Sequence, residues 1–163
     1  MPTATFEKIN TFTATGSEAG VTFTSVPSTF TDLYIVINAK TGNASPSNWA
    51  VRFNNENTGT NYGINMIGGG SSAYADRVTA TDYLYSGTAY NSWGSQYINI
   101  LNYASTTTFK SAISRSNNQG NFVLQILGHW QSTAVVSTVQ VTNYQGYSLT
   151  AGSTINMYGI KAE

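Results

Sequence analysis

Residues 21–41 read VTFTSVPSTFTDLYIVINAKT, and this stretch decides the fold class. Val21 and Phe23 face one way and Thr22 and Thr24 the other, with Ser25 after them, before Pro27 ends the run. Such period-two alternation is the mark of a strand with one wet face, and proline closes it because it cannot donate to a sheet ladder. Leu33, Tyr34, Ile35, Val36 and Ile37 then form a denser apolar run, which predicts a strand lying centrally or covered on both faces.

Working outward, an earlier strand is expected within Phe6 to Thr15, ahead of a turn from Gly16 to Gly20. Downstream, the loop TGNASPSN leads to Trp49, Val51 and Phe53, which alternate with Ala50 and Arg52. After the turn NNENTGTN come Tyr62, Ile64, Met66 and Ile67, so the two runs read as a β-hairpin with a long connection. Gly68 to Gly70 are expected to break regular structure. Between Ser71 and Thr88 the pattern is weak and supports one short strand near Thr81 to Tyr85. The stretch Ala73 to Tyr83 is arguable as a helix, although its threonines and aromatics weaken that case.

Further strands are expected over Gln96 to Leu101, Thr107 to Ser114, Asn121 to Trp130, Val135 to Thr142 and Thr154 to Ile160. Nine or ten short strands separated by turn signals predict an all-β fold, an antiparallel β-sandwich of jelly-roll-like form. An open barrel is the alternative, and no fixed-period repeat supports a propeller or solenoid. The 163 residues fit a single β-sandwich domain, 1–163, with residues 1–10 as an extended N-terminal segment.

Composition narrows the function classes. Only 9% of residues are charged, seven basic against seven acidic, and they are scattered singly, so a phosphate-facing surface for nucleic acid is not expected. No apolar run approaches the roughly 20 residues that cross a membrane as a helix, and MPTATFEKINTF lacks the pattern of a cleaved leader. No membrane partner is expected. The chain has no cysteine, which removes disulfides and thiolate chemistry, and its 23 Thr, 18 Ser and 17 Asn make a polar, uncharged surface.

Catalytic constellations are sparse. His129 is the one histidine, and with no second histidine or cysteine to work with it is read as a structural or interface residue. The carboxylates Glu7, Glu18, Asp32, Glu56, Asp76, Asp82 and Glu163 are spread singly, whereas glycosidase chemistry needs two flanking one bond. Asp76 and Asp82 could converge, yet turn, cap or salt-bridge roles weigh more, and calcium at Asp76 lacks EF-hand spacing. GGGSS at Gly68 to Ser72 lacks the lysine of a phosphate loop, and numerous serines without a G-x-S-x-G elbow carry no nucleophile signal. The expectation is a protein that is not an enzyme, with no cofactor and no metal.

Aromatics are the richer signal. Trp49, Trp93 and Trp130 with eleven tyrosines suit a core, a subunit interface or stacking on sugar rings. Tyr83, Tyr85, Tyr90 and Trp93 form the densest cluster, in the least strand-like region, and are expected at an interface ahead of a core or a sugar site.

The stretches VTFTSVPSTFTDLYIVINAKT, VRFNNENTGTNYGINMIGGGSS and TAGSTINMYGIKAE resemble small tailed-bacteriophage virion proteins of the head decoration or cement type, and are also similar to modules of phage tail and fibre proteins. The likeness rests on Phe23, Pro27, Asp32 to Tyr34, Arg52 to Asn54, Asn57 to Tyr62 and Gly152 to Ile160, which are turn and core positions. The resemblance implies a structural protein that binds the outer capsid surface of the virion, is assembled in the host cytoplasm, forms a homotrimer and has the major capsid protein as partner. The alternative is a tail-associated receptor-binding or carbohydrate-binding module. That alternative requires aromatics and amides converging in a groove, whereas cementing requires flat contacts.

Overall fold

A computed structural model describes residues 5–118 and 122–161. The described residues form twelve strands and no helix, in two antiparallel sheets packed as a jelly-roll-like β-sandwich. The strands are β1 Phe6–Thr13, β2 Gly20–Phe23, β3 Asp32–Ala39, β4 Ser47–Phe53, β5 Tyr62–Gly69, β6 Ala73–Thr81, β7 Leu84–Ala89, β8 Gly94–Leu101, β9 Lys110–Asn118, β10 Phe122–Trp130, β11 Val139–Asn143 and β12 Thr154–Ile160. The large sheet runs β1-β12-β3-β8-β9-β10-β5-β6, and the small one β2-β11-β4-β7.

The apolar run at 33–37 is β3, interior to the large sheet between β12 and β8. Leu33, Ile35 and Ile37 point into the core with Ile98, Ile100, Leu124, Ile126, Ile155 and Met157. Phe23, Trp49, Val51, Phe53, Val139 and Val141 meet them from the small sheet. Burying such side chains contributes about 1.5–3 kcal/mol each, and Trp49 and Trp130 are spent here rather than at a surface.

Several sequence expectations are corrected. β4 and β5 are not a hairpin: β4 pairs with β11 and β7, while β5 pairs with β10 and β6, so residues 54–61 cross between sheets. Asn54 and Asn55 take left-handed backbone angles at the start of that crossing, and the Phe53 amide donates to the Tyr62 hydroxyl at 2.8 Å. The strand expected over 135–142 begins only at Val139. Asn54 explains why: its amide donates to the Val135 carbonyl at 2.8 Å, and its oxygen accepts from the Ser137 and Thr138 amides at 2.9 and 3.1 Å.

Gly68 and Gly69 do not break the structure but continue β5, and Leu124 and Tyr74 side chains occupy the space a Cβ at Gly68 would take, so glycine fits there within the strand. Ala73 to Tyr83 is mainly strand β6, not helix, and the single short strand near 81–85 is replaced by β6 and β7. The strand expected over Thr107 to Ser114 instead spans Lys110–Asn118. Glu163 and residues 1–4 of the expected N-terminal segment lie outside the described residues.

β12 joins β1 to β3, with Ile155 and Met157 buried. Deleting residues 154–163 should therefore abolish the cooperative melt, since each buried apolar side chain lost costs about 2–5 kcal/mol against a total of roughly 5–15 kcal/mol. A truncated chain that keeps its sheet spectrum and sharp transition would contradict this placement. Tyr62 yields a second expectation. Desolvation holds its phenol well above the ordinary value near 10, outweighing the Phe53 amide bond, which favours ionisation. Stability from the neutral phenol is whole below about pH 10 and is lost as pH climbs through the raised native value. Denaturant unfolding should show falling stability above about pH 10, and Tyr62→Phe should flatten that slope. An unchanged slope in the variant would assign the alkaline loss to other groups.

Candidate functional site

Four strands cover part of an eight-stranded sheet, so the β5–β6 end projects past β7, the edge strand of the small sheet. β6 is an outer strand exposed along most of its length. A cleft of about 240 Å³ opens where the overhang faces that edge. Ile64 and Met66 of β5 and Val78 of β6 make its apolar wall, and Tyr83, Tyr85 and Asn48 make the facing one, with Thr81 between them. The volume is below the roughly 300–1,000 Å³ of drug-sized pockets and suits one small ring.

The polar atoms of this cleft are tied to one another. The Asn48 amide nitrogen donates to the Tyr83 hydroxyl at 3.3 Å, and Tyr85 and Thr88 share a hydroxyl–hydroxyl bond of 2.8 Å. Burial pushes the Tyr85 phenol up to about 12, against the Thr88 bond, so it stays a neutral donor and acceptor at physiological pH. Thr81 donates to the Tyr83 carbonyl at 2.7 Å.

Tyr83 is also one half of a stacked pair. Its ring lies 4.4 Å from that of Tyr144 at an interplanar angle of 26°, and Tyr144 is 46% exposed. The Arg52 guanidinium is 5.7 Å from the Tyr83 ring centre and 5.9 Å from that of Tyr144. Asp82 holds it with an ion pair of 2.6 Å.

The four aromatics singled out from the sequence do not form one patch. Tyr83 and Tyr85 line the cleft, whereas Tyr90 lines a separate narrow crevice beside Trp49 and Gln96. Trp93 is 45% exposed, with the Lys40 ammonium 5.9 Å from its ring centre. Tyr144, Asn48 and Arg52 complete the first group from distant positions. Only the weak cue of a tyrosine flanked by Asn143 and Gln145 marked Tyr144 in the sequence.

Asp76 and Asp82 take separate partners, Asp76 accepting from the Arg77 amide at 2.7 Å and Asp82 pairing with Arg52. His129 lies across Gly63, where a Cβ would fall 2.5 Å from its ring, and its Nε2 is 3.2 Å from the Gln131 amide nitrogen. Among the described residues no group of three or more His, Asp or Glu side chains is placed to hold a metal. Gly70 to Ser72 turn β5 into β6, so the glycine-rich stretch opens a strand rather than the helix a phosphate loop requires.

A different surface lies on the outer side of the large sheet. Val123 and Leu127 of β10 and Ile67 of β5 are 68%, 52% and 59% exposed, side by side on one face with Gln125 between them.

No family model matches the chain, and no curated protein matches it. Among solved structures it is weakly similar to a Ruminococcus gnavus IT-sialidase CBM40, with 13% identity and a TM-score of 0.36 over 94% of each chain. The same kind of module bound to alpha2,6 sialyllactose gives 15% identity and a TM-score of 0.35, covering 96% of this chain and 95% of that one. A CBM22-1 xylan-binding domain from Paenibacillus barcinonensis Xyn10C gives 9% identity and a TM-score of 0.23, covering 92% and 71%.

Proposed function

We propose that the protein is a non-catalytic binding module that takes a carbohydrate in the cleft between the β5–β6 overhang and the edge of the small sheet. The observation that carries this reading is the convergence of Tyr83, Tyr85 and Asn48 opposite the apolar wall of Ile64, Met66 and Val78. A sugar ring has apolar C–H faces and a hydroxyl rim. The apolar wall and tyrosine rings suit the faces, and the amide and neutral hydroxyls suit the rim. Aromatics and amides in a groove are what the carbohydrate-binding alternative required of the sequence.

A second reading, reinforcement of a virion shell by a trimer bound to the capsid protein, draws support from the face of Ile67, Val123 and Leu127. Exposed aliphatic groups on a flat sheet suit protein contact, because they offer area without the aromatic planes on which sugars stack.

Binding of a panel of oligosaccharides by calorimetry separates the two. Tyr83→Ala should weaken glycan binding by about fivefold or more, the equivalent of one aromatic contact. Leu127→Ser, on the outer face, should leave it unchanged. Glycan binding lost in Leu127→Ser and kept in Tyr83→Ala would move the site out of the cleft. Failure of the wild-type chain to bind any glycan, with Leu127→Ser releasing it from particles, would favour the shell reading.

A further inference from the structure

We propose that the cleft selects neutral glycans, and that Asp82 is the residue that sets this selectivity by keeping Arg52 from serving an acidic ligand. The proposal rests on the carbohydrate reading above. None of the residues lining the cleft is charged. A carboxylated or sulfated sugar is held best by a guanidinium with free, forward-facing donors, since the planar fork can grip two oxygens at once.

Arg52 stands beside the cleft against the Tyr83 ring, but each of its three nitrogens already makes a bond, using three of its five N–H donors. Nε donates to the Asp82 carbonyl at 2.9 Å, Nη2 to the Asp82 carboxylate at 2.6 Å and Nη1 to Gln140 Oε1 at 3.4 Å. Both side chains are partly buried, at 15% and 30% exposed, so neither rotates away freely. Asp82 also lies between Thr81 and Tyr83, two residues of the cleft itself. An acidic group entering over Tyr83 would meet a carboxylate and a neutralised guanidinium. Excluding wrong ligands by repulsion in this way is a recognised source of specificity.

Calorimetry with neutral oligosaccharides and with sialylated and sulfated forms of the same chains, on wild type and Asp82→Asn at low ionic strength, tests this. Wild type should bind the neutral forms at least as tightly as the acidic ones. Asp82→Asn keeps the shape but leaves Arg52 uncompensated, and should gain roughly tenfold for acidic forms with neutral affinity unchanged. Wild-type affinity should also change less than about twofold between low salt and about 0.5 M sodium chloride, a measurement that needs no variant. A wild-type preference for acidic forms, a steep salt dependence or an Asp82→Asn variant with no gain would overturn the selectivity while leaving the carbohydrate reading in place. Absence of binding to every glycan would overturn both.

Discussion

The mismatch in width between the two sheets, eight strands against four, is the constraint from which the rest of the structure follows. Where the small sheet covers the large one, the interior is filled by aliphatic side chains and the Phe53, Tyr62 and Trp130 ring cluster. Past β7 no other described strand covers the far end of β5 or β6, so their inward residues Met66 and Val78 stay half-buried and become the wall of a cleft. β6 is then left as an outer strand whose central Asp76 and Arg77 discourage pairing with another edge.

Close approach of the sheets at β7 depends on small residues and a polar seam. A Cβ on Gly128 would fall 2.7 Å from Leu84, and one on Gly87 would fall 2.6 Å from Ser116. Gln96 donates to the Ser86 carbonyl and hydroxyl at 2.7 Å each, and Ser114 donates to the same carbonyl at 2.5 Å. These bonds satisfy groups that would otherwise cost about 1–3 kcal/mol each in the interior. They hold β7 in place, and β7 carries Tyr85 into the cleft. Lys110 offers a similar case: its ammonium is buried and donates to the Ser105 and Thr108 carbonyls at 2.6 and 3.1 Å, tying down the turn before β9.

The sandwich was legible in the sequence because β8, β10 and β12 each bury one face and so print alternation into the chain, while β3 showed itself by an unbroken apolar run. β6 was not, because both of its faces are exposed and no apolar rhythm marks it. β7 was hidden by Ser86 and Gly87, which are chosen for close sheet contact rather than for strand propensity. The false hairpin of β4 and β5 arose from two adjacent strand patterns joined by turn residues. Pairing is decided by partners nearly 70 residues away, such as Trp130 opposite Tyr62, and those leave no local trace. Tyr83 and Tyr85 stood out as a cluster, but their separation from Tyr90 and Trp93, and their junction with Tyr144, depend on how the sheets are laid together. The low charge of the chain agrees with a cleft whose lining residues are all uncharged.

The most direct test of a ligand site beneath the β5–β6 overhang is an NMR titration of the labelled protein with a neutral oligosaccharide it binds. The account requires the largest backbone and methyl shifts at Asn48, Ile64, Met66, Val78, Tyr83 and Tyr85. Shifts centred on Ile67, Val123 and Leu127, with the cleft resonances unmoved, would contradict it.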